Sequence, residues 1–126
     1  MRKIGLLIVD HGSRVEEANE LLAEVVRLVK DMSELEIVHY AHMELAEPTI
    51  QQGFDACVKE GAEEVVVHPY FLAPGRHSTE DIPQMAAHAA QKHPKISFRV
   101  TPPLGLDRKI GELILKRIQE DGPCRK

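Results

Sequence analysis

The sequence predicts an α/β fold: one doubly wound domain whose four-stranded parallel sheet has the flavodoxin-like order 2-1-3-4. Three observations predict it. Short apolar runs rich in Val and Ile, at residues 4–9, 36–40, 65–71 and 96–101, have the length and composition of strands. Each is followed by a segment with apolar residues at helical spacing, and this βα alternation implies right-handed crossovers and a parallel sheet. The 126 residues, 43% hydrophobic and 29% charged, suit a single domain with a real core, spanning 1–126, and show no internal repeat or linker.

The first run, Ile4-Gly5-Leu6-Leu7-Ile8-Val9, reads as a strand buried on both faces and stops at Asp10-His11-Gly12. A helix follows from near Glu16, with Ala18, Leu21, Leu22, Val25, Leu28, Val29 and Met32 inward and Glu16, Glu17, Glu20, Glu24, Arg27 and Lys30 outward. Residues 36–40 form a shorter, partly polar second strand. Pro48 suits the first turn of the second helix, which buries Ile50, Phe54, Cys57 and Val58 and ends at Gly61 as a left-handed cap. The third strand leads into the loop Leu72-Ala73-Pro74-Gly75-Arg76-His77. Ser78, Thr79, Glu80 and Asp81 then offer N-caps for a third helix, in which Pro83 must lie near the start. Met85, Ala86, Ala89 and Ala90 are its buried face, and Pro94 ends it. After the fourth strand, Pro102-Pro103-Leu104-Gly105 breaks the chain. Asp107 caps a last helix marked by Ile110, Leu113, Ile114 and Ile118, and residues 121–126 are expected to fray.

Composition excludes several classes. A net charge of −4 gives no basic footprint, and with two Tyr, three Phe and no Trp there is no stacking platform, so no nucleic-acid partner is expected. No apolar run approaches the roughly 20 residues of a membrane span, and no signal peptide precedes the first strand. Cys57 and Cys124 are too isolated for a metal knuckle, so a reducing, cytoplasmic setting is expected. No phosphate-binding glycine loop follows the first strand, and no Gly-x-Ser-x-Gly elbow is present. A receiver-like role for Asp10 lacks the matching aspartate after the third strand. A histidine-phosphatase role would ask for Arg-His-Gly where the chain has Asp10-His11-Gly12.

In the order 2-1-3-4, the chain reverses direction between strands 1 and 3, and ligands bind in the crevice at the carboxyl ends there. His11 and His77 each sit beside that crevice, near glycine. Neutral imidazole both ligates divalent metals and accepts protons near neutral pH. His39, His68, His88 and His93 lie within or at the ends of elements and read as structural; His42 lies past a strand end and is less clear. Glu44 could supply a hard ligand or orient a ligating histidine, and Glu47 suits a helix start. Arg14 and Arg76, three residues and one residue from the two histidines, suit carboxylate or phosphate groups, or simply a nearby acid.

The ordered set Asp10-His11-Gly12-Ser13-Arg14, Met43-Glu44-Leu45-Ala46-Glu47-Pro48, Phe71-Leu72-Ala73-Pro74-Gly75-Arg76-His77, Glu80-Asp81-Ile82-Pro83 and Pro102-Pro103-Leu104-Gly105 resembles the sirohydrochlorin chelatases. It matches their short class II form, which includes the cobalt enzyme and the plant-type iron enzyme. The resemblance implies insertion of a divalent metal, Fe, Co or Ni, into sirohydrochlorin, with His11 and His77 as metal ligands and catalytic proton acceptors. It implies substrate contacts from Ser13, Arg14, Glu44, Gly75, Arg76 and Ser78, the last standing where relatives often carry a bulkier residue. The metal is then a substrate, and no permanent cofactor is implied; the lone Cys124 carries over no iron–sulfur cluster. The segment 41–48 looks most like the iron enzymes. The larger relatives hold two such domains, which implies a homodimer here, in contact through 44–50 and 74–83 or through the last helix. A metal or tetrapyrrole carrier that does not turn over would use the same residues.

Overall fold

The computed structural model describes residues 2–120; the expected frayed tail at 121–126, with Cys124, lies outside the described residues. In chain order the elements are β1 (Ile4–Asp10), α1 (Glu16–Met32), β2 (Ile37–His42), α2 (Ile50–Lys59), β3 (Glu64–Pro69), a π-helical turn (His77–Asp81) running directly into α3 (Ile82–Ala90), β4 (Ser97–Val100) and α4 (Arg108–Ile118). All three strand pairings are parallel, as the alternation of elements predicts, and the sheet order is β2-β1-β3-β4, the flavodoxin-like order expected. The register sets Asp10 opposite His42 and Val9 opposite Pro69, so these strands end level at one edge.

Alternate residues of β1 divide the core. Leu7 and Val9 pack with Phe54, Cys57, Val65, Val67 and Ile82 beneath α2 and α3. Ile8 packs on the other face with Val38 and with Leu22 and Val26 of α1. α1, α2 and α3 thereby each bury one apolar stripe, the main source of their stability.

Helix ends differ in places from the sequence reading. Pro48 precedes α2 instead of entering it: Thr49 is the N-cap, accepting from the Gln52 amide, while the Gln52 side chain accepts from the Thr49 N–H. Gly61 does end α2, at φ +107°, with the Ala62 N–H reaching the Cys57 carbonyl and the Gly61 N–H that of Val58. The residues expected to cap α3 lie inside the π-helical turn, which starts at His77 itself. There the Ile82 N–H reaches back to the His77 carbonyl, a widened turn just ahead of Pro83, which has no N–H to give.

The largest departure is α4. Asp107 caps it as expected, accepting from the Lys109 N–H at 2.9 Å, but none of its residues is buried. The N–H groups of Leu104 and Gly105 donate to the carbonyls of Phe71 and Leu72. The chain leaving β4 is therefore tied along the carboxyl edge, and α4 starts there instead of turning back over its own sheet.

Candidate active site

The crevice is built by backbone before side chains enter it. Past the end of β1 the pairing with the β2–α2 loop continues for two rungs, Met43 N–H to the Asp10 carbonyl at 2.9 Å and Glu44 N–H to the His11 carbonyl at 3.1 Å. Gly12 makes this approach possible. Its φ is +95°, and a Cβ there would sit 1.9 Å from the Glu44 carbonyl oxygen, so only glycine fits. The close approach delivers the Glu44 carboxylate to His11 Nε2 at 2.9 Å, while His11 Nδ1 lies 3.2 Å from the Gly12 carbonyl. Both partners are acceptors. The doubly protonated ring satisfies both at once; the neutral ring satisfies one and keeps a lone pair free.

On the other wall, the Tyr70 N–H donates to the Val9 carbonyl at 2.7 Å and extends the β1–β3 pairing. Phe71 then stacks on His77, ring centroids 6.3 Å apart. One turn on, Asp81 Oδ2 accepts from His77 Nδ1 at 3.0 Å, which fixes the tautomer with its lone pair on Nε2. The two histidines meet: the His11 and His77 ring centroids are 5.0 Å apart at an interplanar angle of 65°. Their side chains are 41% and 51% exposed, so a ligand can reach both. Among the described residues no three side chains of His, Cys, Asp or Glu converge to hold a metal ion; the crevice offers the imidazole pair with a carboxylate beside each ring.

The other residues singled out by sequence are distributed unevenly. Arg14 and Ser13 line a cavity of about 330 Å³ with Asn19, Tyr40, His42 and Glu47. The Ser13 hydroxyl accepts from the Val15 N–H, and its backbone is clamped by Asn19. Arg76 points outward, 80% exposed, with Glu80 at 3.7 Å. Ser78 is buried and its hydroxyl is engaged with both backbone groups of Gly75. Gly75 itself has open space where a side chain would stand.

His42 corrects the sequence reading. It is the last residue of β2, not a loop residue, and is 1% exposed. Its Nδ1 donates to Asp10 at 2.6 Å, and its Nε2 is the one buried side-chain polar atom without a partner among the described residues. The signal for this pair lay in strand register, which sets Asp10 and His42 side by side. His39, His68 and His93 bond Glu60, Thr101 and Asp55 respectively. Burial pushes the His68 pKa down. At Asp55 burial acts to raise the pKa, but hydrogen bonds from His93 and Gln51 outweigh it and the value falls. Burial pushes the Cys57 thiol up to about 12, which leaves it unreactive at neutral pH.

Fold and site together define an α/β domain of the chelatase type. The chain belongs to the CbiX family, whose family model matches residues 5–121. It is 48% identical over 115 residues to a chloroplastic sirohydrochlorin ferrochelatase of Arabidopsis thaliana, covering 91% of this chain and 51% of that one. It is also similar to the solved sirohydrochlorin chelatase SirB from Bacillus subtilis subspecies spizizenii in complex with cobalt. The TM-score is 0.86 at 35% identity, over 93% of this chain and 50% of that one. A solved putative cobalamin-biosynthesis CbiX protein from Marinobacter aquaeolei gives a TM-score of 0.76 at 27% identity, over 92% and 94% of the two chains. The chain thus spans about half the length of the first two. Among the described residues no helix is long and apolar enough to cross a membrane.

Proposed function

We propose that this chain is a sirohydrochlorin chelatase that inserts a divalent metal, Fe²⁺ or Co²⁺, into the tetrapyrrole. The observation that carries the reading is the imidazole pair, His11 and His77 with centroids 5.0 Å apart at the switch point of the sheet. The names of the relatives in Arabidopsis and Bacillus, an iron and a cobalt-bound chelatase, support it.

Insertion requires that the ion shed water and that two pyrrole N–H protons leave. His77 Nε2 and one nitrogen of His11 bind the incoming metal as borderline ligands. The ligand set stays incomplete, so the ion can be surrendered to the macrocycle. Each imidazole, once relieved of metal, accepts a proton, and each has a carboxylate in place for the resulting cation: Glu44 for His11 and Asp81 for His77. Glu44 is close enough to exchange its hydrogen bond for a bond to the metal. Arg14, in the cavity wall, takes a carboxylate arm of the macrocycle, with Ser13 beside it. Arg76 reaches an arm only by swinging from Glu80. Gly75 leaves room for the ring edge, and Ser78 acts by holding the Gly75 turn.

In this reading the metal is substrate, and no resident cofactor is required. The similarity of the segment 41–48 to plant-type enzymes favours iron over cobalt. The working form is a homodimer, because a single four-stranded domain leaves the crevice open on one side and a flat macrocycle needs a second wall. The setting is cytoplasmic, in keeping with the buried, unpaired Cys57. Anaerobic mixing with sirohydrochlorin and Fe²⁺ or Co²⁺ tests the activity. Metallated product over many turnovers is expected; spectra that saturate at one equivalent would mark a carrier and overturn it.

A further inference from the structure

Two cavities flank the histidine pair, one on each face of the sheet, and their linings differ in kind. The cavity on the α1 side is polar, with Arg14, Ser13, Asn19, Tyr40 and His42 in its wall. On the other face a groove of about 460 Å³ lies between the starts of α2 and α3. Met43, Ile50 and Met85 are its apolar lining. Met43 packs against the main core, Ile50 is buried, and Met85 is 37% exposed. Gln51 ties the two helices together there, its side-chain amide donating to Asp55 at 2.8 Å and to the Ala89 carbonyl at 3.3 Å. The groove is continuous with the active site. Asp81 stands in its wall while its carboxylate accepts from His77 Nδ1, and the Met43 N–H donates to the Asp10 carbonyl beside His11. Asp81, Met85 and His88 follow at i, i+4 and i+7, so one stripe of α3 runs from the histidine into the groove. Among the described residues no arginine or lysine lines it.

We infer that this groove is the subsite for the methylated edge of sirohydrochlorin. The inference rests on the chelatase reading above and names the residues that tell the substrate from its unmethylated counterpart. Sirohydrochlorin carries added methyl groups on two adjacent rings, each on a carbon that also bears an acetate arm; uroporphyrin III, with the same carboxylate arms, lacks them. With the pyrrole nitrogens centred on His11 and His77, the outer carbons lie one pyrrole width away, and the edge turned to the α2–α3 side enters the groove. Burying a methyl group is favourable against an apolar wall, and thioethers, unbranched and adaptable, fit an irregular outline. Gln84 and His88, exposed at the rim, offer donors to the acetate arms that share the methylated carbons. The opposite edge then faces Arg14, whose guanidinium suits a carboxylate arm. Reversed, the ring would press its methyl groups on the polar wall and set the arms of the other edge in a groove without a cation. The two cavities thereby fix the orientation of the ring as well as its identity.

Binding in the absence of metal tests the subsite apart from insertion. Metal-free sirohydrochlorin and uroporphyrin III are titrated anaerobically against the full chain and followed by fluorescence. The wild type should prefer sirohydrochlorin about tenfold, the effect of burying two methyl groups. Met85→Ser should remove most of that preference by weakening sirohydrochlorin alone, and Met85→Leu, which returns the apolar volume, should restore it. In a chain labelled with carbon-13 at the methionine methyls, the ring current of bound sirohydrochlorin should shift the Met43 and Met85 signals. The signal of Met32, at the far end of α1, should stay in place. Equal binding of both tetrapyrroles by the wild type, an unchanged preference in Met85→Ser, or unmoved Met43 and Met85 signals would overturn the subsite alone. A lower sedimented mass for Met85→Ser without tetrapyrrole would assign the groove to a contact between copies and overturn the subsite as well. A wild type that binds neither tetrapyrrole would overturn the chelatase reading together with the subsite. Methionine shifts as expected without metallated product would count against turnover alone and support the subsite.

Discussion

At Gly12 two constraints coincide, a left-handed backbone and a carbonyl oxygen where a side chain would begin. Gly12→Ala should cost roughly 1–3 kcal/mol from backbone strain alone. It should also push the Glu44 loop away and uncouple the carboxylate from His11. A lowered thermal midpoint together with slower insertion is expected; unchanged values for both would show that the turn tolerates a Cβ. His11 and His77 are legible in the sequence because each follows a strand with a glycine within two residues, and such positions converge at the switch point of this topology. Their carboxylate partners are less so. The sequence points to Glu44 but offers Asp81 only as a helix cap, because its i,i+4 relation to His77 exists only once His77 is helical. His42 was unreadable for a different reason. A two-residue extension of β2 moves it from loop to strand, and its pairing with Asp10 is set by inter-strand register, which a linear sequence does not display.

Local chemistry decides where the elements end. The Thr49–Gln52 capping box satisfies two backbone N–H groups at the start of α2 and leaves Pro48 outside the helix. Thr49→Ala should cost about 1 kcal/mol, a fall of about 3–6 °C in thermal midpoint for a domain of this size. It should leave insertion per folded chain near wild type, since α2 lies behind the crevice; an unchanged midpoint would contradict the assigned cap. The cap residues Thr49, Gly61 and Asp107 were all present to be read, yet Pro48 masked the first by offering a plausible helix start of its own. The π-helical turn before α3 had one visible cue, Pro83. What the sequence lacked was any sign that residues 77–81 would wind before the proline instead of after it.

Across the whole molecule, the parallel sheet and the two-faced core follow from composition and periodicity, and with the strand order 2-1-3-4 they set the His pair at the sheet edge. The fate of α4 does not follow. Its amphipathic pattern asks for an apolar partner without saying which surface supplies it, and the hydrogen bonds at Leu104 and Gly105 that direct the helix are invisible to periodicity. Titration of the buried groups shapes the stability of the whole fold. His68 is held neutral by burial, so the unfolded chain takes up its proton more readily than the folded one. Its contribution is intact above the ordinary imidazole value of about 6.5 and is lost as pH falls from there toward the depressed folded value. The urea midpoint should therefore decline between about pH 7 and 5, and His68→Gln should flatten that decline; an identical slope in the variant would contradict the assignment. The central claim is that His11 and His77 together deliver the metal and receive the protons. Anaerobic steady-state insertion into sirohydrochlorin by the His11→Ala, His77→Ala double variant tests it most directly, with Fe²⁺ and Co²⁺ in parallel. The account predicts a loss of about 10²–10⁴-fold in turnover with thermal midpoint and sedimentation unchanged, whereas turnover at the wild-type rate would contradict it.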